Sequence, residues 1–237
     1  MKLLLTSLGI SNDSIRAALV ELLGKPIEQS RAVCIPTAIH APPGGPTDAW
    51  LTLRELDLGW AEYGVLELTA LPSLPESCWL PSLQAADYVL VGGGSTGYLS
   101  YWMWTSGLAT HLPTVLRDTV YVGASAGSMI ATHSLEIDRP YLARTGIYRD
   151  VDFEEDAPLG AGSDRALGFV PFVIRPHLNA GYYPTATLEH FARSSAALDV
   201  PLYAIDDATA IVVHNGDVRV VSEGEWRVFN GGREAMG

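Results

Sequence analysis

The pentapeptide Gly123-Ala124-Ser125-Ala126-Gly127 follows the apolar run Thr119 to Val122 and precedes a helix-compatible stretch, Ser128 to His133. A serine between small residues at a strand-to-helix turn is the arrangement of a nucleophile elbow. The sharp turn exposes Oγ, and the next amide, that of Ala126, is left at a helix N-terminus where it can hold an oxyanion. Such a serine needs a base, an acid that orients the base, and a second oxyanion donor. Of six histidines, His40, His111, His190 and His214 fall in loops, on helix surfaces or in the terminal hairpin. His133 is expected on the elbow helix itself, pointing along it. His177 follows a buried strand and Pro176, where an open α/β sheet places its ligands, and is the chosen base. Asp207, after Leu202 to Asp206, meets the same strand-end condition for the acid; Asp206 and Asp138 stay open as alternatives. The second oxyanion donor is expected from the loop Gly92-Gly93-Gly94-Ser95-Thr96-Gly97, as the amide of Gly94. That loop also matches G-x-G-x-x-G. It follows the fourth strand rather than the first, and no acid stands at the end of the next strand, so a dinucleotide site is disfavoured.

The elements that must position these residues read as an alternation. Strands are expected at Lys2 to Leu8, Ala32 to Thr37, Val65 to Leu68, Ala86 to Val91, Thr119 to Val122, Leu167 to Ile174 and Leu202 to Ile205. Helices are expected after the cap Ser11-Asn12-Asp13, from Thr47-Asp48 to about Tyr63, through Tyr98 to Trp104, and from Thr185 to Leu198. The loop Pro42 to Pro46 breaks the chain before the second of these. Strand alternating with helix predicts an α/β fold: a three-layer, mainly parallel twisted sheet with helices on both faces. A short β-rich C-terminal tail follows, with Asn215-Gly216 as a hairpin turn. No linker is apparent, so residues 1–237 are expected to form one domain. Between Glu136 and Arg165 periodicity is lost and acids accumulate, which reads as a solvated excursion, with a flap over the site as the other reading.

Composition narrows the partners. A net charge of −12 with only two lysines, Lys2 and Lys25, lacks the basic footprint that nucleic acid or an anionic membrane requires. Cys34 and Cys78 cannot build a disulfide framework and have no metal-ligand spacing. Neither a signal peptide nor a membrane span is recognisable, and the expectation is a cytoplasmic protein without cofactor or metal.

With these residues in hand, the chain resembles the peptidase E (aspartyl dipeptidase) family of serine peptidases, most strongly from Val89 to Phe229. The resemblance rests on Val91-Gly92-Gly93-Gly94-Ser95-Thr96, the elbow, Ile174-Arg175-Pro176-His177-Leu178-Asn179 and Ala204-Ile205-Asp206-Asp207. Cyanophycinase, a β-aspartyl peptide hydrolase, has a similar elbow. The family fold is similar to that of class I glutamine amidotransferases, which carry cysteine at the elbow. The resemblance implies a triad of Ser125, His177 and Asp207, the family having glutamate at the last position, and a small peptide substrate. Gly93, Ser95 and Asn179 are the expected substrate-binding positions. Two departures bear on specificity. The family has an arginine-containing segment after its histidine, where this chain has Ala180 to Thr187, and the aromatic run Tyr98, Tyr101, Trp102 and Trp104 also differs. That run suits a core or a homodimer interface. The alternative reading is a catalytically inactive or regulatory small-molecule-binding protein on the same fold.

Overall fold

The computed structural model describes residues 1–42, 54–230 and 233–235. Its strands are β1 (Lys2–Thr6), β2 (Arg31–Ile35), β3 (Glu62–Val65), β4 (Tyr88–Val91), β5 (Val120–Ala124), β6 (Val173–Arg175), β7 (Pro201–Ile205), β8 (Thr209–His214), β9 (Asp217–Ser222), β10 (Trp226–Asn230) and β11 (Arg233–Ala235). A seven-stranded sheet runs β3-β2-β4-β5-β1-β8-β9. From β3 to β1 every pairing is parallel, and β8 and β9 extend the sheet as an antiparallel hairpin.

The leucines of β1 show why these strands read as unbroken apolar runs. Leu3 and Leu5 enter one core, with residues of the helices α3 (Thr96–Thr105), α4 (Leu108–Val115) and α5 (Ala126–Ile130). Leu4 enters the other core, beneath Ile15, Leu19 and Leu22 of α1 (Asp13–Leu23). Successive side chains of a strand point to opposite faces, so a sheet covered on both faces needs apolar residues at every position. Helix α1 starts where Asn12 accepts the Ile15 amide and stops at Gly24, whose φ of 70° is the left-handed C-cap conformation. The short helix α2 (Leu80–Gln84) leads into β4.

A second sheet, β11-β10-β7-β6, was not foreseen: the histidine and aspartate strands were expected in the main sheet. β6 and β7 are parallel, and their side chains again divide between two faces. Ile174, Tyr203, Ile205 and Trp226 join the main core, while Val173, Leu202, Ala204 and Phe229 pack with Phe191 of α7 (Leu188–Ser195).

Other expectations are corrected in detail. The cap at Thr47-Asp48 lies outside the described residues. The helix expected to reach Tyr63 has already ended after residues 54–56, in a turn at Gly59 (φ 87°). β3 therefore begins at Glu62, earlier than Val65; as an exposed edge strand it lacks the apolar run that marks the others. Leu167 to Phe172 is not a strand: its apolar side chains are half-buried at Leu167 and Phe169 and buried at Val170 and Phe172. The amides of Leu167, Gly168 and Phe169 donate to the carbonyls of Ile130, Thr132 and Ala131, and only Val173–Arg175 joins a ladder. The elbow helix is shorter than expected, and exposed His133 lies beyond its end.

The acid-rich segment is not a solvated excursion. Asp138 opens α6 (Arg139–Thr145), and the chain then buries Asp150 and Asp152 against Arg175 of β6. Arg175 Nη1 lies 3.1 Å from Asp150 Oδ2, and its Nε is paired with Asp152 Oδ2. The side chains of Arg175 and Asp152 are 2% and 0% exposed. Asp152 Oδ1 also accepts from Ser194 Oγ at 2.5 Å and faces His190 Nε2 at 2.9 Å. Removing one member of such a group strands the others without water. Arg175→Met is therefore expected to cost about 3–5 kcal/mol, read as a lowered urea midpoint at neutral pH. A loss below about 1 kcal/mol would show that the two carboxylates do not depend on the guanidinium.

Candidate active site

Parallel strands deliver their C-terminal ends to one edge. Ser7 follows β1, Gly93 lies two residues beyond β4, and Ser125 follows β5 directly. The second sheet docks so that β6 and β7 end at the same place, with His177 and Asp207 each two residues past a strand.

Ser125 has φ 52° and ψ −114°, a conformation that costs a non-glycine residue on the order of 1–3 kcal/mol and persists only when its surroundings enforce it. Its amide donates to the Thr6 carbonyl at 3.1 Å, and its own carbonyl accepts the amides of Ser128 and Met129. Ser128 Oγ donates to Thr6 O at 2.7 Å, and the Tyr121 hydroxyl to Gly127 O at 2.6 Å. A Cβ on Gly127 would stand 1.9 Å from the Val91 carbonyl oxygen, so only glycine lets the elbow helix sit on β4. The loop after β4 has the same requirement at Gly94: φ is 127°, and a Cβ would meet Ala38 O at 2.2 Å. The Ser95 amide pins that loop to the same carbonyl at 3.1 Å.

His177 is also left-handed, with φ 62°. Its amide donates to Ser7 Oγ at 2.9 Å, and the next amide, Leu178, donates to Ile205 O at 3.0 Å. The buried ring so held puts Nε2 at 2.8 Å from Ser125 Oγ and Nδ1 at 2.8 Å from Asp207 Oδ1. Burial would raise the Asp207 pKa. Hydrogen bonds from His177, Ser7 and Tyr182 outweigh it and bring the carboxyl down to about 2, so Asp207 is ionised throughout the neutral range.

The remaining expected residues divide. The Gly94 and Ala126 amides donate to no other described residue. Gly93 lies against the nucleophile, since a Cβ there would be 3.6 Å from Ser125 Oγ. Ser95 is buried and caps α3 by accepting the Tyr98 amide. The Asn179 side chain donates to Glu225 through Nδ2 and sits at the surface. Asp138 caps α6 through the Tyr141 amide at 2.8 Å and is not a partner of His177. Asp206 is occupied by Thr209 Oγ1 and the amides of Ala208 and Glu225. His40 and His111 pair with Glu67 and Glu76, whereas His190 faces the buried Asp152 rather than solvent alone. Ser7 and Tyr182, both on Asp207, were missed. Ser7 carries no signal of its own until the pairing of β1 with the elbow strand is known. Among the described residues, no group of three or more His, Cys, Asp or Glu is placed to hold a metal ion, and no helix is long and apolar enough to cross a membrane.

The model of Peptidase family S51 matches residues 3–221. No curated protein matches the chain. Among solved structures, a candidate peptidase E protein from Listeria monocytogenes EGD-e is 20% identical with a TM-score of 0.63, the match covering 94% of this chain and 98% of that one. A peptidase from an acI-B1 actinobacterium is 19% identical with a TM-score of 0.63, covering 99% of this chain and 92% of that one. At these identities the likeness is one of fold.

The imidazole is walled by aromatic rings, Tyr183, Tyr182 and Phe153, with centroids 5.1, 5.5 and 6.3 Å away. Behind this wall the Tyr183 hydroxyl donates to Glu155 at 2.5 Å. Burial, opposed by that bond and reinforced by the Asp150 charge, pushes Glu155 up to about 7 from an ordinary 4.5. The native state thus holds this proton more tightly than the unfolded chain does. The associated stability is complete below about pH 4.5 and is lost as pH rises through 7. Glu155→Gln is expected to abolish that decline, on the order of 2–3 kcal/mol, in denaturation measured from pH 4 to 8. An unchanged decline would place its origin elsewhere.

Proposed function

Because the chain belongs to peptidase family S51, we propose that it is a serine hydrolase that cleaves short peptides, as a dipeptidase does. The observation that carries this reading is the unbroken relay from Ser125 Oγ to His177 Nε2, and from His177 Nδ1 to Asp207, at 2.8 Å in each step. His177 takes the proton as Ser125 attacks the peptide carbonyl. The negative charge that develops on the carbonyl oxygen meets the amides of Gly94 and Ala126. The imidazolium, stabilised by Asp207, then protonates the departing amine. Water, deprotonated by the same imidazole, releases the acid from the ester.

For the substrate, we infer an N-terminal residue recognised with weak preference for aspartate. A buried substrate carboxylate would need a cation, because an unpaired buried charge costs several kcal/mol. Arg175, two residues before His177, is already matched by Asp150 and Asp152. Arg139 pairs with Asp164, Arg149 with Asp156, and Arg165 lies over the Trp104 ring.

Ser125→Ala should abolish both turnover and labelling by a fluorophosphonate followed by intact mass. A folded wild-type protein that takes no adduct and cleaves no peptide would instead support a binding or regulatory protein on this fold. Asp207→Asn should lower kcat by about 10⁴, while Asp138→Asn, which keeps a capping side chain, should leave it unchanged. The reverse ranking would move the acid to Asp138. Across Asp-Leu, Leu-Leu, Ala-Leu and Phe-Leu, kcat/KM should favour Asp-Leu by less than about 10³, or about 4 kcal/mol; a larger preference would require a cation not identified above.

A further inference from the structure

The carboxylate of Asp207 is held by more than the imidazole. Ser7 Oγ donates to Oδ1 at 2.6 Å, and the Tyr182 hydroxyl donates to Oδ2. Both hydroxyls also lie near His177 Nδ1, Ser7 Oγ at 3.1 Å and Tyr182 Oη at 3.0 Å. Counting protons decides the direction of these contacts. Each hydroxyl has a single proton, and an ionised carboxylate can only accept. With both protons committed to Asp207, the hydroxyl oxygens can face Nδ1 only as acceptors, so Nδ1 carries the hydrogen. Nε2 is then the unprotonated nitrogen, and it is the one that faces Ser125. The Tyr182 hydroxyl is pushed up by burial and by Asp207, which keeps it a donor through the neutral range.

The two hydroxyls differ in setting. Ser7 is fully buried, and it also accepts the His177 amide, so it holds the backbone as well as the acid. Tyr182 is 59% exposed, on the loop five residues after the base, and its ring flanks the imidazole. It has no packing role comparable to that of Phe153 or Tyr183, which sit against Phe191 in the core under α7. Its one polar engagement is with the acid and base.

We propose that Tyr182 is a positioning residue of the reaction. Its hydroxyl holds Asp207 Oδ2, which keeps Oδ1 on Nδ1–H of His177, and its ring covers that bond from solvent, while Ser7 fixes the carboxylate from the buried side. The inference builds on the proposed role of Ser125, and acts through Asp207 rather than on the substrate.

Tyr182→Phe removes only the hydroxyl. The expected result is a fall in kcat of about ten- to a hundredfold with KM unchanged, the range for one charge-assisted hydrogen bond felt through the base. Placed on an Asp207→Ala background, the same substitution should cost nothing further, because the group through which it acts is gone. Equal falls in both backgrounds, or none in the wild type, would overturn the proposal. A second measurement does not depend on turnover. The imidazole Nδ1–H proton resonance of His177, assigned by its absence in His177→Gln, should exchange with water faster in Tyr182→Phe than in the wild type. An unchanged exchange rate would also overturn the proposal. If the wild type neither cleaves peptides nor takes a fluorophosphonate, the hydrolase reading fails, and this proton still reports whether Tyr182 guards the His177–Asp207 bond.

Discussion

The hydrogen bond from the His177 amide to Ser7 Oγ is the point on which the site depends. Ser7 directly follows a strand of the main sheet and His177 lies two residues past a strand of the second, and the bond fixes one against the other where both sheets end. From that point the imidazole reaches Ser125 on one side and Asp207 on the other. The distances in such a relay tolerate little error, since a misplacement of about 1 Å can cost a hundredfold in rate. The chain meets that tolerance by making the contact within two residues of strand ends. Ser7 directly follows β1, the strand paired with the elbow strand, and the residue after His177 is tied to β7.

Strain is concentrated at the same point. Ser125 and His177 both have positive φ, although neither is glycine. Each is held by hydrogen bonds to β1 or its end: Ser125 to Thr6, and His177 to Ser7. The glycine at 127 permits the close approach of the elbow helix to β4 that makes the turn so tight. Packing over the sheet thus supplies the free energy that the strained turns consume.

The buried charges around Arg175 connect the fold to the surroundings of His177. Asp150 and Asp152 draw the segment after α6 down onto β6, and with it Phe153, which walls the imidazole. The same pairing occupies the arginine nearest the base. A group that in another protein could meet an acidic substrate here holds the wall of the site in place. The local charge is therefore structural, and the surface offered beside His177 is aromatic.

Much of this was legible in the residues alone. The elbow, the strand-end histidine and the aspartate after β7 are local patterns, in which residue type, turn and neighbouring element are set by sequence neighbours. The parallel sheet followed from apolar runs buried on both faces, and the cap at Asn12 from side-chain chemistry. The second sheet, the shortness of β6 and the edge strand β3 were not legible. An apolar run reports packing, and apolar side chains pack alike whether the amides between them meet a ladder or the end of a helix, as the amides of Leu167 to Phe169 do. The acidic segment misled for a related reason: a carboxylate reads as solvated until its buried cation is known, and Arg175 lies 23 or more residues away in sequence. Ser7, 118 positions before Ser125 and 200 before Asp207, is the clearest case. Its role arises only when β1 pairs with β5 and the second sheet docks, because hydrogen bonds act over about 3 Å whatever the separation along the chain.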